Sequence, residues 1–152
     1  MSSRALPEPA PSVHLTVEDI DTLRRALMRI VRRLREERSS DDISDTQYQT
    51  LAALQHHGPL SPTALAELQR IQPPPMTRVV NALADAGFVT RTPHPTDGRQ
   101  VVVTLTTAGE AHVVETRLRR NAWLAARLDA LAPDDVATLA RAAELIEGIA
   151  AR

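Results

Sequence analysis

Residues 73–109 read PPPMTRVVNALADAGFVTRTPHPTDGRQVVVTLTTAG, and the architecture of the chain turns on them. Pro73, Pro74 and Pro75 cannot occupy a helix interior, yet a first helical turn tolerates them because its backbone N–H groups have no intrahelical partner. A helix is therefore predicted to start at the prolines, run through MTRVVNALADA and stop at Gly87, a residue suited to a left-handed C-terminal cap. At about 100° per residue, Met76, Val79, Val80 and Leu83 share one face, which is assigned to the core. Pro74, Arg78, Asn81 and Asp85 take the opposite face, flanked by Thr77. Two extended runs follow, Phe88–Thr92 and Gln100–Leu105, the second alternating Val101, Val103 and Leu105 with Val102 and Thr104. The intervening PHPTDGR has the turn chemistry of Pro, Asp and Gly, so the runs should pair as one antiparallel hairpin with an exposed tip.

Upstream, Ser61 and Pro62 read as N-cap and first position of a short helix, TALAEL, ending near Gln69. Before it, Ser44 and Gln47 form a capping box for a helix through Tyr48, Leu51 and Leu54 that Gly58 and Pro59 stop. Earlier still, Thr16 with Asp19 caps a helix of about 20 residues whose apolar stripe is Ile20, Leu23, Leu27, Ile30 and Leu34. Its other faces carry Arg24, Arg25, Arg29, Arg32, Arg33 and Arg35 with Glu36 and Glu37, a solvated surface. Residues 1–13, with Pro7, Pro9 and Pro11, read as a disordered tail. Downstream, Thr106 or Thr107, the latter with Glu110 three residues on, caps a long helix to about Leu131 carrying Val114, Leu118, Ala122, Ala125, Leu128 and Ala132. Pro133, Asp134 and Asp135 open a last helix striped with Val136, Leu139, Ala140, Ala143, Ile146 and Ile149. Three short helices followed by a hairpin is the order of a winged helix-turn-helix. The expected class is mainly α with a small β-hairpin wing.

Composition narrows the function. A chain of 152 residues is read as one domain-sized unit, able to build a core without staples. With no Cys, disulfides, thiolate nucleophiles and thiol redox sensing are excluded. No apolar run approaches a membrane span and no secretion signal is read, so a cytoplasmic location with no membrane partner is expected. Glycine-rich phosphate loops, nucleophile elbows and HExxH pairs are absent from the sequence, so no catalytic residues are assigned and no enzyme is expected. Neither a cofactor nor a metal is expected; the adjacent His56 and His57 point about 100° apart on a helix and are poorly placed to share one ion. The formal net charge of −1 argues against a general polyanion binder, but the charge is unevenly spread. Within 70–99, Arg70, Arg78, Arg91 and Arg99 outnumber Asp85 and Asp97, whereas 132–152 sets Asp134, Asp135, Glu144 and Glu147 against Arg141 and Arg152.

Thr77, Arg78 and Asn81 are types that read base edges or hold phosphate: Arg toward guanine, Asn toward adenine, Thr toward a thymine methyl or phosphate. They lie in the N-terminal half of their helix, the half that enters a major groove in helix-turn-helix proteins. An ordinary solvated face is the bland alternative, and Asp85 suits it better than a phosphate neighbourhood.

At this point the 73–109 stretch resembles the multiple-antibiotic-resistance-regulator (MarR) family. Its Asp-x-Arg wing signature and Leu-Thr-x-x-Gly are matched by Asp97, Gly98 and Arg99, then Leu105, Thr106, Ala108 and Gly109. The helix order extends the resemblance over 17–150. It implies a homodimeric transcriptional regulator of double-stranded DNA, with repression as the family's direction. The implied organisation is a winged helix-turn-helix DNA-binding lobe at 41–105 and a helical dimerisation region formed by 14–40 and 106–152. It further implies that Arg99 enters the minor groove while Asp97 helps hold the wing. Gly98 departs from the Arg or Lys of many relatives, which weakens minor-groove attraction. The full candidate DNA face is Ser61, Thr63, Pro74, Pro75, Thr77, Arg78, Asn81, Arg91, Asp97 and Arg99, with Arg91 a phosphate candidate. The family also implies a small aromatic or phenolic effector; Tyr48 and Trp123 are the candidates to line its pocket, or else ordinary core residues. The apolar stripes of the first and last helices independently exceed what a small lobe can cover, so a second copy is expected to cover them. Two linked lobes then gain effective concentration in place of strong basic charge. The rival reading is a winged-helix protein-interaction module without DNA binding, favoured if Arg78 and Arg99 are paired internally.

Overall fold

A computed structural model describes residues 15–37, 43–93 and 100–150. The Pro-rich tail read at 1–13 and the wing tip with Asp97 and Arg99 lie outside these residues. The element order is α1 (Val17–Glu36), α2 (Asp45–His57), α3 (Pro62–Leu68), α4 (Pro73–Asp85), β1 (Val89–Pro93), β2 (Val101–Leu105), α5 (Thr107–Leu128) and α6 (Pro133–Ala150). The chain partitions into one compact unit up to Arg33 and a second from Leu34 onward.

In the first unit α1 begins as its cap residues dictate. Thr16 N donates to Asp19 Oδ2 at 2.9 Å and Asp19 N donates back to Thr16 Oγ1 at 3.1 Å, satisfying two orphan donors reciprocally. The Thr16 hydroxyl also donates to that carboxylate at 2.6 Å, and these bonds hold the Asp19 carboxyl below its ordinary range. The stripe continues as Ile20 52%, Leu23 44%, Leu27 38% and Ile30 43% exposed, and α1 has no buried residue.

The second unit holds the core. Leu51, Leu65, Met76 and Leu83 are fully buried, joined by Val80, Val89, Val103 and Val113, so α2, α3, α4, the wing and the start of α5 share one apolar centre. Each such side chain contributes roughly 1.5–3 kcal/mol on burial, which is how a lobe with few aromatics holds together. Local chemistry sets the boundaries. Ser44 and Gln47 form the full capping box of α2, and Ser61 Oγ accepts from Ala64 N at 3.1 Å with Pro62 at the first position of α3. Gly87 at φ +79° ends α4, the left-handed conformation that glycine adopts without a Cβ penalty.

The hairpin is antiparallel, pairing Val89 with Leu105 and Pro93 with Val101. Its strands differ slightly from the expectation: β1 starts at Val89, not Phe88, and extends to Pro93, while β2 starts at Val101, not Gln100. Of the alternating face Val101, Val103 and Leu105, only Val103 is fully buried, because the hairpin projects past the core and Val101 is 40% exposed. The structure also adds a contact that a two-run reading did not contain. Leu60 and Val103 exchange both backbone hydrogen bonds, 3.1 Å and 2.8 Å, which ties the α2–α3 connection to the wing.

Thr106, not Thr107, is the N-cap of α5, its hydroxyl accepting from Gly109 N at 3.1 Å while donating to Gly87 O at 2.8 Å. The helix ends at Leu128, three positions before the expected Leu131, and the cap backbone N–H of Asp129 closes on Ala125 O. Its buried residues are Gly109, Val113 and Thr116, whereas Val114 and Leu118 of the predicted stripe are 36% and 61% exposed. The lobe thus takes a different face of α5 from the apolar one read in the sequence. A Cβ on Gly109 would stand 2.2 Å from Phe88 O, so the closeness of α5 to the wing base requires glycine there. The glycine and threonine of the Leu-Thr-x-x-Gly signature therefore both fasten the wing to α5. Like α1, α6 buries no residue.

Candidate nucleic-acid interface

The end of α3 is tied to α2 by a part-buried polar chain that α4 touches through Met76. Gln69 Nε2 donates to Thr50 Oγ1 at 2.9 Å, and that hydroxyl donates to Thr46 O at 2.9 Å with Met76 Sδ 4.0 Å away. The turn between the helices places Arg70 at φ +54°, a left-handed backbone that costs a side-chain-bearing residue energy, with Ile71 N closing on Ala66 O at 3.0 Å. The geometry fixes the direction in which α4 presents its outer side.

On α4 the predicted division is observed: Met76, Val80 and Leu83 are buried and Val79 half-buried, while Pro74, Pro75, Thr77, Arg78, Asn81 and Asp85 are exposed. Thr77 donates its hydroxyl to Pro73 O at 3.1 Å, which leaves its oxygen lone pairs and methyl outward. Arg78 has no ion pair or hydrogen bond among the described residues. The first turn of α4 is Pro73, Pro74 and Pro75, which have no N–H to offer, and Met76 N closes on Gln72 O at 3.3 Å, so this helix end needs no side-chain cap from Gln72.

Arg91 reaches this face from the wing. Cross-strand pairing sets it opposite Val103, and the strand period of two puts it on the same side as buried Val89. One step further out than Val89, it clears the core and its Nη1 donates to Asn81 Oδ1 on α4. Sequence reading assigned both residues to DNA and missed their contact, since nothing in a spacing of ten positions across a turn signals it. Ser61 serves as a cap, and with exposed Thr63 it lines a cleft of about 530 Å³ that Glu67, Gln100 and Val101 complete. Asp97 and Arg99 lie outside the described residues.

The two pocket candidates sit on α2 and α5. Tyr48 is 8% exposed, and the Arg120 guanidinium lies over its ring, 4.2 Å from the centroid. Arg120 in turn stands 3.6 Å from Asp45, whose other oxygen is 3.2 Å from Arg35 Nε, so the end of α1, the start of α2 and the middle of α5 meet at one carboxylate. Trp123 is half-buried with Arg127 stacked on it at 3.9 Å, one turn from Arg120 on α5. The structure thus places an arginine beside each aromatic ring. Among the described residues no group of three His, Asp or Glu side chains has metal-site geometry, and no helix is long and apolar enough to cross a membrane.

Comparison with known proteins bears on this geometry. The MarR family model matches residues 43–101, from the start of the α2 cap to the second wing strand. An HTH-type transcriptional regulator of Mycobacterium leprae is 44% identical over 121 residues, covering 80% of this chain and 85% of the relative. The multiple antibiotic resistance protein MarR of Salmonella typhimurium is 32% identical over 99 residues, 64% of this chain and 69% of the relative. Among solved structures, that of RV1404 from Mycobacterium tuberculosis superposes with a TM-score of 0.80 at 29% identity, covering 92% of this chain and 97% of that one.

Proposed function

Because the chain belongs to the MarR family of transcriptional regulators, which are not enzymes, we propose that it represses transcription as a homodimer bound to a pseudo-palindromic operator. One observation carries the reading: α4 buries Met76, Val80 and Leu83 on one face and turns Thr77, Arg78 and Asn81 outward on the other. An outward arginine with no internal partner among the described residues is available to a phosphate or a guanine edge, which supports DNA binding over the protein-interaction reading. In this proposal Arg78 and Asn81 read bases and Thr77 and Arg91 stand near the backbone. Thr63 and the α3 cap at Ser61 approach the flanking phosphates, while Pro74 and Pro75 shape the entering turn. Asp97 and Arg99 carry the wing into the minor groove, as the family signature implies.

The second copy covers the exposed stripes of α1 and α6. A two-fold pair of lobes then meets half-sites about one helical turn apart, roughly 34–36 Å. Repression follows by exclusion, since a dimer seated across two successive grooves blocks other proteins from that stretch. A small aromatic acid is the proposed effector. It would enter beside Tyr48 and Trp123, where Arg120 and Arg127 already face the rings and can meet a carboxylate.

Selection from random duplexes, followed by anisotropy titration of the winner at several salt concentrations, tests the reading. An inverted repeat bound by one dimer with a steep salt slope is the expected result; no enrichment at any salt overturns it. Arg78→Ala should weaken binding by about 1–3 kcal/mol with fold and dimer unchanged. Equal affinity of Arg78→Ala and the parent would remove Arg78 from the interface.

A further inference from the structure

We infer that Arg91 sets which base Asn81 reads, and that the pair selects guanine where an asparagine by itself pairs with adenine; the inference rests on the DNA-binding reading above. Three observations carry it. Arg91 Nη1 donates to Asn81 Oδ1, across from strand β1 to the outward face of α4. Both side chains are exposed, so the contact sits on the proposed groove surface and not beneath it. Arg91 has no acidic partner among the described residues, and none of them neutralises its charge.

The chemistry follows from the donor and acceptor inventory of the two groups. An asparagine amide offers one acceptor oxygen and an NH2 with two donors, whereas a guanidinium offers donors alone. With Arg91 on Oδ1 the amide cannot flip without placing its NH2 against a cation. Nδ2 is the end left for a ligand. Asparagine recognises adenine by accepting from N6 through its oxygen while donating to N7 through its nitrogen. Here the adenine amino group would have to take the second lone pair of the same oxygen with its donor crowded against the guanidinium, donor facing donor. Guanine presents two acceptors, O6 and N7, to the same edge. Nδ2 and the remaining Arg91 N–H groups match both. Thymine, with O4 as its one acceptor, ranks behind guanine, and cytosine, which presents an amino donor, ranks last.

Arg91 is thus a positioning and specificity residue, not only a phosphate contact, and the two roles give different data. The experiment compares random-duplex selections with the full-length parent, Arg91→Ala, Asn81→Ala and the double variant, then titrates the parent's selected duplex and its single-base variants by anisotropy at several salt concentrations. The expected parent motif has a guanine, in each half-site, at the position that Asn81→Ala relaxes. Changing that guanine to adenine should cost the parent about tenfold in affinity. Arg91→Ala should reverse the preference at this position toward adenine and leave the rest of the motif in place, and the double variant should show no preference there. An Arg91→Ala motif identical to the parent's, with every duplex weakened alike and the salt slope reduced by about one, overturns the inference and leaves a phosphate contact. Adenine at that position in the parent motif, or no relaxation by Asn81→Ala, also overturns it. Failure of the parent to enrich any motif overturns the DNA-binding reading itself, so the two failures are distinguishable.

Discussion

The winged lobe and the helices α1 and α6 start from similar material, aliphatic side chains at helical spacing, and end in opposite states. In the lobe, Leu51, Leu65, Met76 and Leu83 lose all contact with solvent. In α1 and α6 no residue is buried, and Leu23 and Leu139 remain 44% and 47% exposed. The lobe closes because short helices, the Leu60–Val103 bridge and the Gly109 approach bring apolar faces together from several directions. A long amphipathic helix with a straight stripe offers no such closure by itself. Burial on this scale would add stability that one chain leaves unused, and a second copy is the proposed source of the missing surface.

Four tests sharpen that contrast. The largest effect is expected at Gly109. Its added Cβ would meet the Phe88 carbonyl at 2.2 Å and Leu105 Cδ2 at 2.9 Å, one a backbone atom that cannot swing away. Gly109→Ala should therefore cost about 3 kcal/mol in denaturant unfolding; a midpoint equal to the parent's would mean that α5 does not approach the wing base so closely.

Close behind stands a matched pair, Leu83→Ala in the lobe and Leu23→Glu on α1. Emptying the Leu83 site should cost about 2–3 kcal/mol. Leu23→Glu should leave the secondary structure of the lobe intact, as circular dichroism would report, and shift the sedimentation equilibrium toward monomer. A Leu23→Glu protein with unaltered mass in solution would show that the α1 stripe is not the dimer surface.

Gly148 on α6 is the counterpart of Gly109, since nothing lies within 4 Å of the Cβ it would gain. Gly148→Ala should raise stability by about 0.5–1 kcal/mol through helix propensity alone. A loss in thermal melting would reveal a partner chain packed against that glycine.

The smallest effect concerns pH. Burial lowers the pKa of His112, packed 5.2 Å from the Phe88 ring, and nearby Glu115 opposes the shift. The native state then binds its proton less readily than the unfolded chain. This contribution to stability is complete above the ordinary histidine value of 6.5 and declines as pH falls below it toward the lowered native value. Unfolding midpoints measured across this range should decline with acid, and less steeply in His112→Gln; identical profiles for the two proteins would remove His112 as a source.

Much of the fold was legible because it is written in local chemistry. Ser44 with Gln47, Ser61 with Pro62, the three prolines and Gly87 each act within one turn of chain, so their readings needed no knowledge of neighbours. The buried and exposed faces of α4 followed from helical periodicity in the same way. The choice between Thr106 and Thr107 stayed open, since both have the cap chemistry. Packing settled it, because the Thr106 hydroxyl also reaches Gly87 O.

What the sequence by itself determined is the order of the elements, their caps and the residue types on the outer face of α4, since all depend on interactions a few residues long. The tertiary structure alone decided which face of α5 meets the lobe and why Gly109 must be glycine. It also decided that Leu60 pairs with Val103 and that Arg91 lies against Asn81. These contacts join positions on different elements, and their existence depends on the angle and distance at which those elements pack. No local pattern encodes that geometry, because it emerges only when the apolar faces are brought together in one core.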